Sequence, residues 1–395
     1  MHPFLFNIPL LNRPIPAYVA MVMIALLVGV WWAGRLARKF KADPEVILNM
    51  GILILVFYVI GARTFYVIHY WETEFAQDPK RAFFIWGGGF EFYGGFIGAF
   101  TACCLYLLIA RLPIRLYADL FAPPLMLGAG LGRLGCYLFG CCWGSLCPAT
   151  LPWAVEFPYA SPPYHAHWEQ RLVTVPAELL AIDSVGRASP ISREILQLTP
   201  EQLEAFRQAS KKVATDMDKA RAAGNTKQAD RLESQLQVFL QLRPVLRHFD
   251  DYQVGPADLR ALVEAKGLHS RPVHPAQLYS AVGPLLLAWM MALYLNRRQR
   301  QGMVMLLTMV LYSIERFVAE MVRADNPLDT FGLTVSQGIS LALLGILLLC
   351  YLCLRRLPLQ SPWPAFRGRP AQMASAEGEN QNDAPPGNPS PPPPP

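Results

Sequence analysis

Seven apolar runs, each near the length of a bilayer crossing, limit what this chain can fold into. They lie at roughly 17–34, 46–70, 93–110, 118–140, 274–295, 302–322 and 333–354, and a helix needs about 20 such residues to cross the hydrocarbon. In lipid every backbone N–H and C=O must be satisfied inside the protein, so runs of this length read as helices. Composition agrees, with 53% hydrophobic and 16% charged residues, too apolar for an ordinary soluble domain. The expected fold class is an all-α polytopic membrane protein with seven transmembrane helices.

Charge sets the orientation. A cluster of Arg35, Arg38, Lys39 and Lys41 follows the first run. A signal peptide carries its charge ahead of the apolar stretch, so this segment reads as a retained helix. Alternate loops hold Arg111 and Arg115, then Arg297, Arg298 and Arg300, then Arg355 and Arg356, while the opposite loops hold little beyond Lys80 and Arg81. The positive-inside rule therefore puts the N-terminus outside and the C-terminus inside. The net charge of +6 follows from this asymmetry and gives no reason to invoke nucleic acid.

Four segments follow. Residues 1–158 hold helices one to four and the start of an outer head; 159–270 form a polar outer insertion between helices four and five. Residues 271–357 hold helices five to seven, and 358–395 are a Pro-rich tail expected to be disordered in the cytoplasm. Within the insertion, residues 199–242 read as a helical hairpin. Thr199 is the N-cap, Pro200 occupies the first turn, and Gly224-Asn225 make the bend.

Charges inside apolar runs are costly and therefore point to function. The sixth run carries Tyr312, Arg316, Glu320 and Arg323 on one helical stripe. The fourth carries Asp119 and Arg133 among small residues that allow close helix contact (Gly128, Gly132, Gly135, Gly140 and Gly144), and the second carries Arg63. At about 1.5 Å rise per residue, Arg63, Arg133 and Arg316 sit roughly 21–25 Å from the inner ends of their runs. Tyr18, Glu91 and Tyr93 lie at the outer ends of the first and third runs. Several guanidiniums in a dry setting suit a phosphate, which they grip bidentately. At that depth the phosphate is most naturally a phospholipid headgroup. The alternative is that Arg316–Glu320, and Asp119 with some arginine, are plain interhelical ion pairs.

The stretch "GRLGCYLFGCCWG" (132–144) raises a second question. On a continuing helix Cys136, Cys141 and Cys142 fall at roughly 0°, 140° and 240° and splay around the axis, which reads as packing. No metal, redox cofactor or disulfide framework is expected among the eight cysteines. A thiol-redox membrane enzyme built on Cys136, Cys141, Cys142 and Cys147 stays open as a different class. An anion transporter is a third, but no internal repeat supports it.

The membrane part resembles the prolipoprotein diacylglyceryl transferases. The resemblance rests on "PAYVAMVMIALLVG", "GARTFYVIHYW", "GGGFEFYGGFIGAF", "DLFAPPLMLGAGLGRLGCYLFGCCWG", "LPWAVEFP", "RPVHPAQLYSAV" and "ERFVAEMVRADN", found in the family's order. It implies a multi-pass protein of the bacterial inner membrane that uses no cofactor. Its partners would be phosphatidylglycerol, lipobox peptides of prolipoproteins and membrane lipids. The reaction implied is transfer of diacylglyceryl to the lipobox cysteine thiol, releasing glycerol phosphate.

The resemblance makes Arg133 a phosphate contact and Arg316 essential at the reacting centre, with Tyr93 the third member of the catalytic set. Expected lipid contacts are Arg133, Arg63, Tyr18, Gly94, Gly95 and Gly144. The supporting polar network is Asp119, Glu91, Tyr312, Glu320, Arg323, His274, Gln277 and Tyr279. Three positions depart from the better-known members. Tyr93-Gly94-Gly95 stands for His-Gly-Gly, Cys136 for Asn and Cys141 for Glu. A tyrosine hydroxyl with pKa of about 10 accepts a proton at neutral pH less readily than a histidine. Tyr93 is therefore expected to hydrogen-bond substrate, with Glu91 as a stand-in base. A catalytically silent lipid-binding relative remains an alternative.

Overall fold

The computed structural model describes residues 4–8, 13–76, 79–84, 88–182, 186–223, 245–323 and 332–356. A short hairpin, β1 (Phe4–Ile8) and β2 (Arg13–Pro16), precedes helix α1 (Ala17–Lys39). Helices α2 (Pro44–His69), α3 (Phe92–Ile109) and α4 (Ile114–Phe139) follow. The insertion holds α5 (Pro162–Glu169), strands β3 (Leu180–Ile182) and β4 (Ala188–Pro190), α6 (Arg193–Leu196), α7 (Pro200–Ala222) and α8 (Pro256–Lys266). The chain closes with α9 (Ala276–Leu295), α10 (Met303–Glu320) and α11 (Val335–Arg355).

A helix thus falls on each of the seven apolar runs. Among the described residues α1, α2, α9 and α11 are long and apolar enough to cross a membrane, and α3 is apolar but shorter. Helices α4 and α10 carry the buried charges, which lowers their mean hydropathy. The chain is a mostly helical membrane protein. It divides into two compact units, one of Met1–Leu27, Leu125–Met290 and Leu307–Leu349, the other of Val28–Pro124, Met291–Leu306 and Cys350–Pro395.

In the second unit α2 packs on α3 through glycine. A Cβ at Gly94 would sit 2.4 Å from the Gly61 carbonyl oxygen, and one at Gly98 2.6 Å from that of Phe57. Only glycine admits this approach, the small-xxx-small contact of membrane helices. A Cβ at Gly95 would sit 2.7 Å from the Tyr58 ring. Gly94 and Gly95, expected as lipid contacts, lie where α3 packs on α2.

Asp119 forms an ion pair with an arginine, as one reading of the sequence has it. Its carboxylate is fully buried and accepts from the Gly302 and Met305 N–H groups at 2.8 and 3.0 Å, capping the start of α10. Arg298, itself buried over the Phe40 ring, supplies the counter-charge at 3.4 Å. Asp119 lies near the N-terminal end of α4, whereas Arg133 lies near its C-terminal end. Its role is to anchor a helix terminus, where donors lack intrahelical partners and favour negative charge.

The insertion belongs to the first unit and, although polar overall, has an apolar core. Tyr159, Tyr164, Leu179, Ala181, Ile191, Leu196, Val245, Phe249 and Leu259 pack together. At about 1.5–3 kcal/mol for each large side chain fully buried, such a cluster can hold a small lobe together. Helix α7 begins as expected, with Thr199 and Gln202 forming a reciprocal capping box. The Gly224-Asn225 bend, the second hairpin helix and the tail from 358 lie outside the described residues. Bridges between Val155 and Val273 and between Pro158 and His269 close the insertion at its base.

His167 sits at that base. Its Nδ1 accepts the Arg271 N–H at 3.1 Å, and burial, aided by the Arg271 charge, holds its pKa below the usual histidine value. A depressed pKa favours the neutral imidazole, so its stabilisation is present above about pH 6.5 and is lost as pH falls through the lower folded value. The protection of amides in residues 155–175 and 267–273, measured against the intrinsic exchange rate at each pH, is therefore expected to fall between pH 7 and pH 5. His167→Gln should lose that pH dependence, and an unchanged profile would refute the assignment.

Candidate active site

Helix α10 supplies the centre of the site. Its stripe places Arg316, Glu320 and Arg323 one turn apart, as i, i+4 and i, i+3 neighbours must be. The Glu320 carboxylate is buried and pairs with the Arg316 guanidinium; Arg323 Nη1 lies 3.5 Å from the same oxygen. Arg316 also donates to the Ser336 hydroxyl at 3.0 Å, tying α10 to α11. One carboxylate thus holds two guanidiniums that would otherwise repel each other. Removing one member of such a buried set leaves a charge without compensation.

Helix α4 brings Arg133 to the same group. It lies within electrostatic reach of Tyr312, Cys142, Cys136 and Arg323. Unlike Arg316 and Arg323, Arg133 has no hydrogen-bond or ion-pair partner among the described residues. Tyr18, at the start of α1, is close to this region: a Cβ at Gly135 would sit 3.3 Å from the Tyr18 Cα.

The loop after α4 is clamped from two sides. Gly144 N–H donates to the His274 carbonyl at 3.0 Å, Ser145 N–H to that of Val322 at 3.0 Å, and His274 N–H returns to Ser145 at 3.0 Å. Gly144 also bridges to Arg323. A Cβ at Gly144 would lie 2.6 Å from the His274 carbonyl oxygen, so a side chain there would force the strands apart. Gln277 is buried, and its Nε2 donates to the Cys141 carbonyl at 2.8 Å while its Oε1 has no partner among the described residues. The Tyr279 hydroxyl is 3.3 Å from His274 Nδ1.

Arg133, Tyr312, Arg316, Glu320, Arg323, Gly144, His274, Gln277, Tyr279, Tyr18, Cys136 and Cys141 therefore all belong to one unit. Glu91, Tyr93 and Arg63 belong to the other. Glu91, at the start of α3, is engaged by His69 at 2.5 Å, and Tyr93 is exposed over 56% of its surface. Arg63 corrects an expectation. Its Nε, Nη1 and Nη2 direct five bonds of 2.8–3.2 Å to the carbonyls of Arg81, Ala82, Phe84, Gly88 and Gly89. A guanidinium has five N–H donors, so none is left for a phosphate. Arg63 anchors the loop before α3.

Glu315 is a residue the sequence reading passed over. Its carboxylate interacts electrostatically with Arg133 and Arg316 and packs where a Cβ at Gly283 would meet it at 2.8 Å. Periodicity hid it, because Glu315 lies about 100° off the Tyr312–Arg323 stripe. A charge adjacent to Arg316 in an apolar run was the available signal.

Comparison with known proteins gives the family. The chain is 33% identical over 141 residues to the phosphatidylglycerol–prolipoprotein diacylglyceryl transferase of Trichormus variabilis, covering 36% of this chain and 49% of that protein. It is 31% identical over 183 residues to the protein of that name from Gluconobacter oxydans, covering 45% and 66%. For Erwinia tasmaniensis the figures are 32% over 168 residues, 40% and 56%. These matches span about half the length of the curated relatives. A family model described as prolipoprotein diacylglyceryl transferase matches residues 3–353, and the chain belongs to that family.

Proposed function

We propose that the chain transfers diacylglyceryl from phosphatidylglycerol to the lipobox cysteine of a prolipoprotein. The thiol sulfur would attack the glyceryl carbon bonded to the phosphate oxygen. A C–S bond forms, the C–O bond breaks, and glycerol phosphate leaves with the electron pair. The observation that carries this reading is Arg133. It is a guanidinium in the membrane part with no protein acceptor among the described residues, beside a pair of arginines already held in place by Glu320. Glu315 is within electrostatic reach of this guanidinium but makes no hydrogen bond or ion pair with it, so the Arg133 donors can take a phosphate.

On this reading Arg133 binds the headgroup and Arg316 stabilises charge as the phosphate departs. Glu315, near both, is positioned to take the thiol proton. Tyr93 would hydrogen-bond the substrate and not take the thiol proton. Seven membrane crossings, an outer insertion and a bacterial inner-membrane location complete the proposal. The seven helices on seven apolar runs and the arginine-bearing alternate loops support it.

Two tests address the chemistry. Glycerol phosphate release should occur in vesicles of phosphatidylglycerol and be absent in vesicles of phosphatidylcholine alone; equal release from both would reject the headgroup assignment. Within active protein, Tyr93→Phe is expected to lose about fivefold or less, the worth of one ordinary hydrogen bond. Glu315→Gln should lose about 10²-fold or more, the contribution of a positioned base. The reverse order of effects would make Tyr93 the proton acceptor.

A further inference from the structure

Helix α4 stops at Phe139, and the next residues turn the chain back. Gly140 takes φ +89° and Cys142 φ +60°, both in the left-handed region. The Gly140 and Cys141 N–H groups both return to the Cys136 carbonyl, at 2.8 and 3.1 Å. Glycine enters this region freely, but a residue with a Cβ does so at a cost of about 1–2 kcal/mol. The reversal ends the regular helix on which the three cysteines would have splayed. Cys136, Cys141 and Cys142 instead bring their three sulfur atoms within 4.8 Å of one another. The expectation of scattered packing residues is corrected by this turn.

Several features fit a ligand set. Gln277 holds the Cys141 carbonyl from α9, so the turn is braced by a second helix. Among the described residues no histidine or carboxylate joins the three sulfurs. Structural zinc favours four protein ligands in a tetrahedron, whereas soft thiolates alone suit monovalent copper. Charge points the same way. Three thiolates around Cu⁺ carry a net charge of −2, and the two guanidiniums in electrostatic reach of Cys142 are Arg133 and Arg323.

We infer that Cys136, Cys141 and Cys142 form a three-thiolate site for copper(I). Binding breaks three S–H bonds, forms three Cu–S bonds and releases three protons to solvent, with no change of oxidation state. Metal uptake does not depend on the transferase reading. A consequence does: an anionic cluster beside Arg133 would compete with the lipid phosphate, so copper(I) would inhibit transfer.

The test uses the full chain in phosphatidylglycerol bilayers, kept reduced with a phosphine and titrated with copper(I) against the chromophoric chelator bicinchoninate. One copper per chain is expected, with three protons released. Bound copper should protect Cys136, Cys141 and Cys142, but not the exposed Cys350 and Cys353, from alkylation read by peptide mass. Cys142→Ser and Cys141→Ser should each weaken uptake by 100-fold or more, while Cys350→Ser leaves it unchanged. Failure to withdraw copper from the chelator, equal alkylation with and without copper, or full uptake by both serine variants would overturn the site. The alkylation readout uses unaltered protein, so it stands even if a serine variant fails to fold. Transfer that continues unchanged despite one bound copper would refute the competition at Arg133 and leave the metal site in place, whereas absence of any transfer without copper would count against the transferase reading alone.

Discussion

Alanine at Arg133 or at Arg316 is expected to lower transfer by about 10³-fold, the scale seen when a positioned charge-stabilising group is removed from a transition state. The two losses should differ in kind. Arg133 has no protein acceptor among the described residues, so its loss should appear mainly as weaker phosphatidylglycerol binding, with KM raised. Arg316 is held by Glu320 and Ser336 and, on the proposed reading, acts as charge develops on the leaving phosphate, so its loss should fall on kcat. Arg316→Lys keeps the charge but not the planar fork, and recovery should be partial. Initial rates across a range of phosphatidylglycerol mole fractions separate these effects. Near-normal kcat in Arg316→Ala would remove it from the reacting centre.

Glu320→Ala carries the second large effect, on stability as well as rate. Glu320 is buried, and Arg316 and Arg323 share the same carboxylate oxygen. Without it two guanidiniums of like charge remain with much less compensation, a loss of about 3–5 kcal/mol. A lower unfolding midpoint in detergent is expected, together with inactive protein. Arg316→Ala/Glu320→Ala should be less destabilised than the sum of the single variants, because the two residues act as one set. Strict additivity would mean that Glu320 does not hold Arg316.

Much of this is legible in the sequence. Apolar runs mark helices because lipid leaves the backbone no other partner, and the structure places a helix on each one. Tyr312, Arg316, Glu320 and Arg323 share a stripe by helical period alone, and the ion pairs follow from that spacing. What escaped was decided by tertiary contact. The Gly144 loop meets His274 and Arg323 only when α4, α9 and α10 are assembled. Arg63 looked like Arg133 in the sequence, two arginines at similar depth in apolar runs. Only the carbonyls of Arg81, Ala82, Phe84, Gly88 and Gly89 distinguish a loop anchor from a guanidinium without a hydrogen-bond acceptor. The convergence of the three sulfurs does not follow from helical period, because Gly140, with a left-handed backbone, follows the last helical residue Phe139.

The most direct measurement follows the mass of a fluorescent lipobox peptide incubated with the purified protein in phosphatidylglycerol bilayers. The account predicts a diacylglyceryl-sized increase matched by release of glycerol phosphate. Both should be lost with the Cys→Ser peptide and with Arg316→Ala protein. An unmodified peptide, with phosphatidylglycerol still bound by folded protein, would contradict the account and leave a lipid-binding member of the family without the transfer.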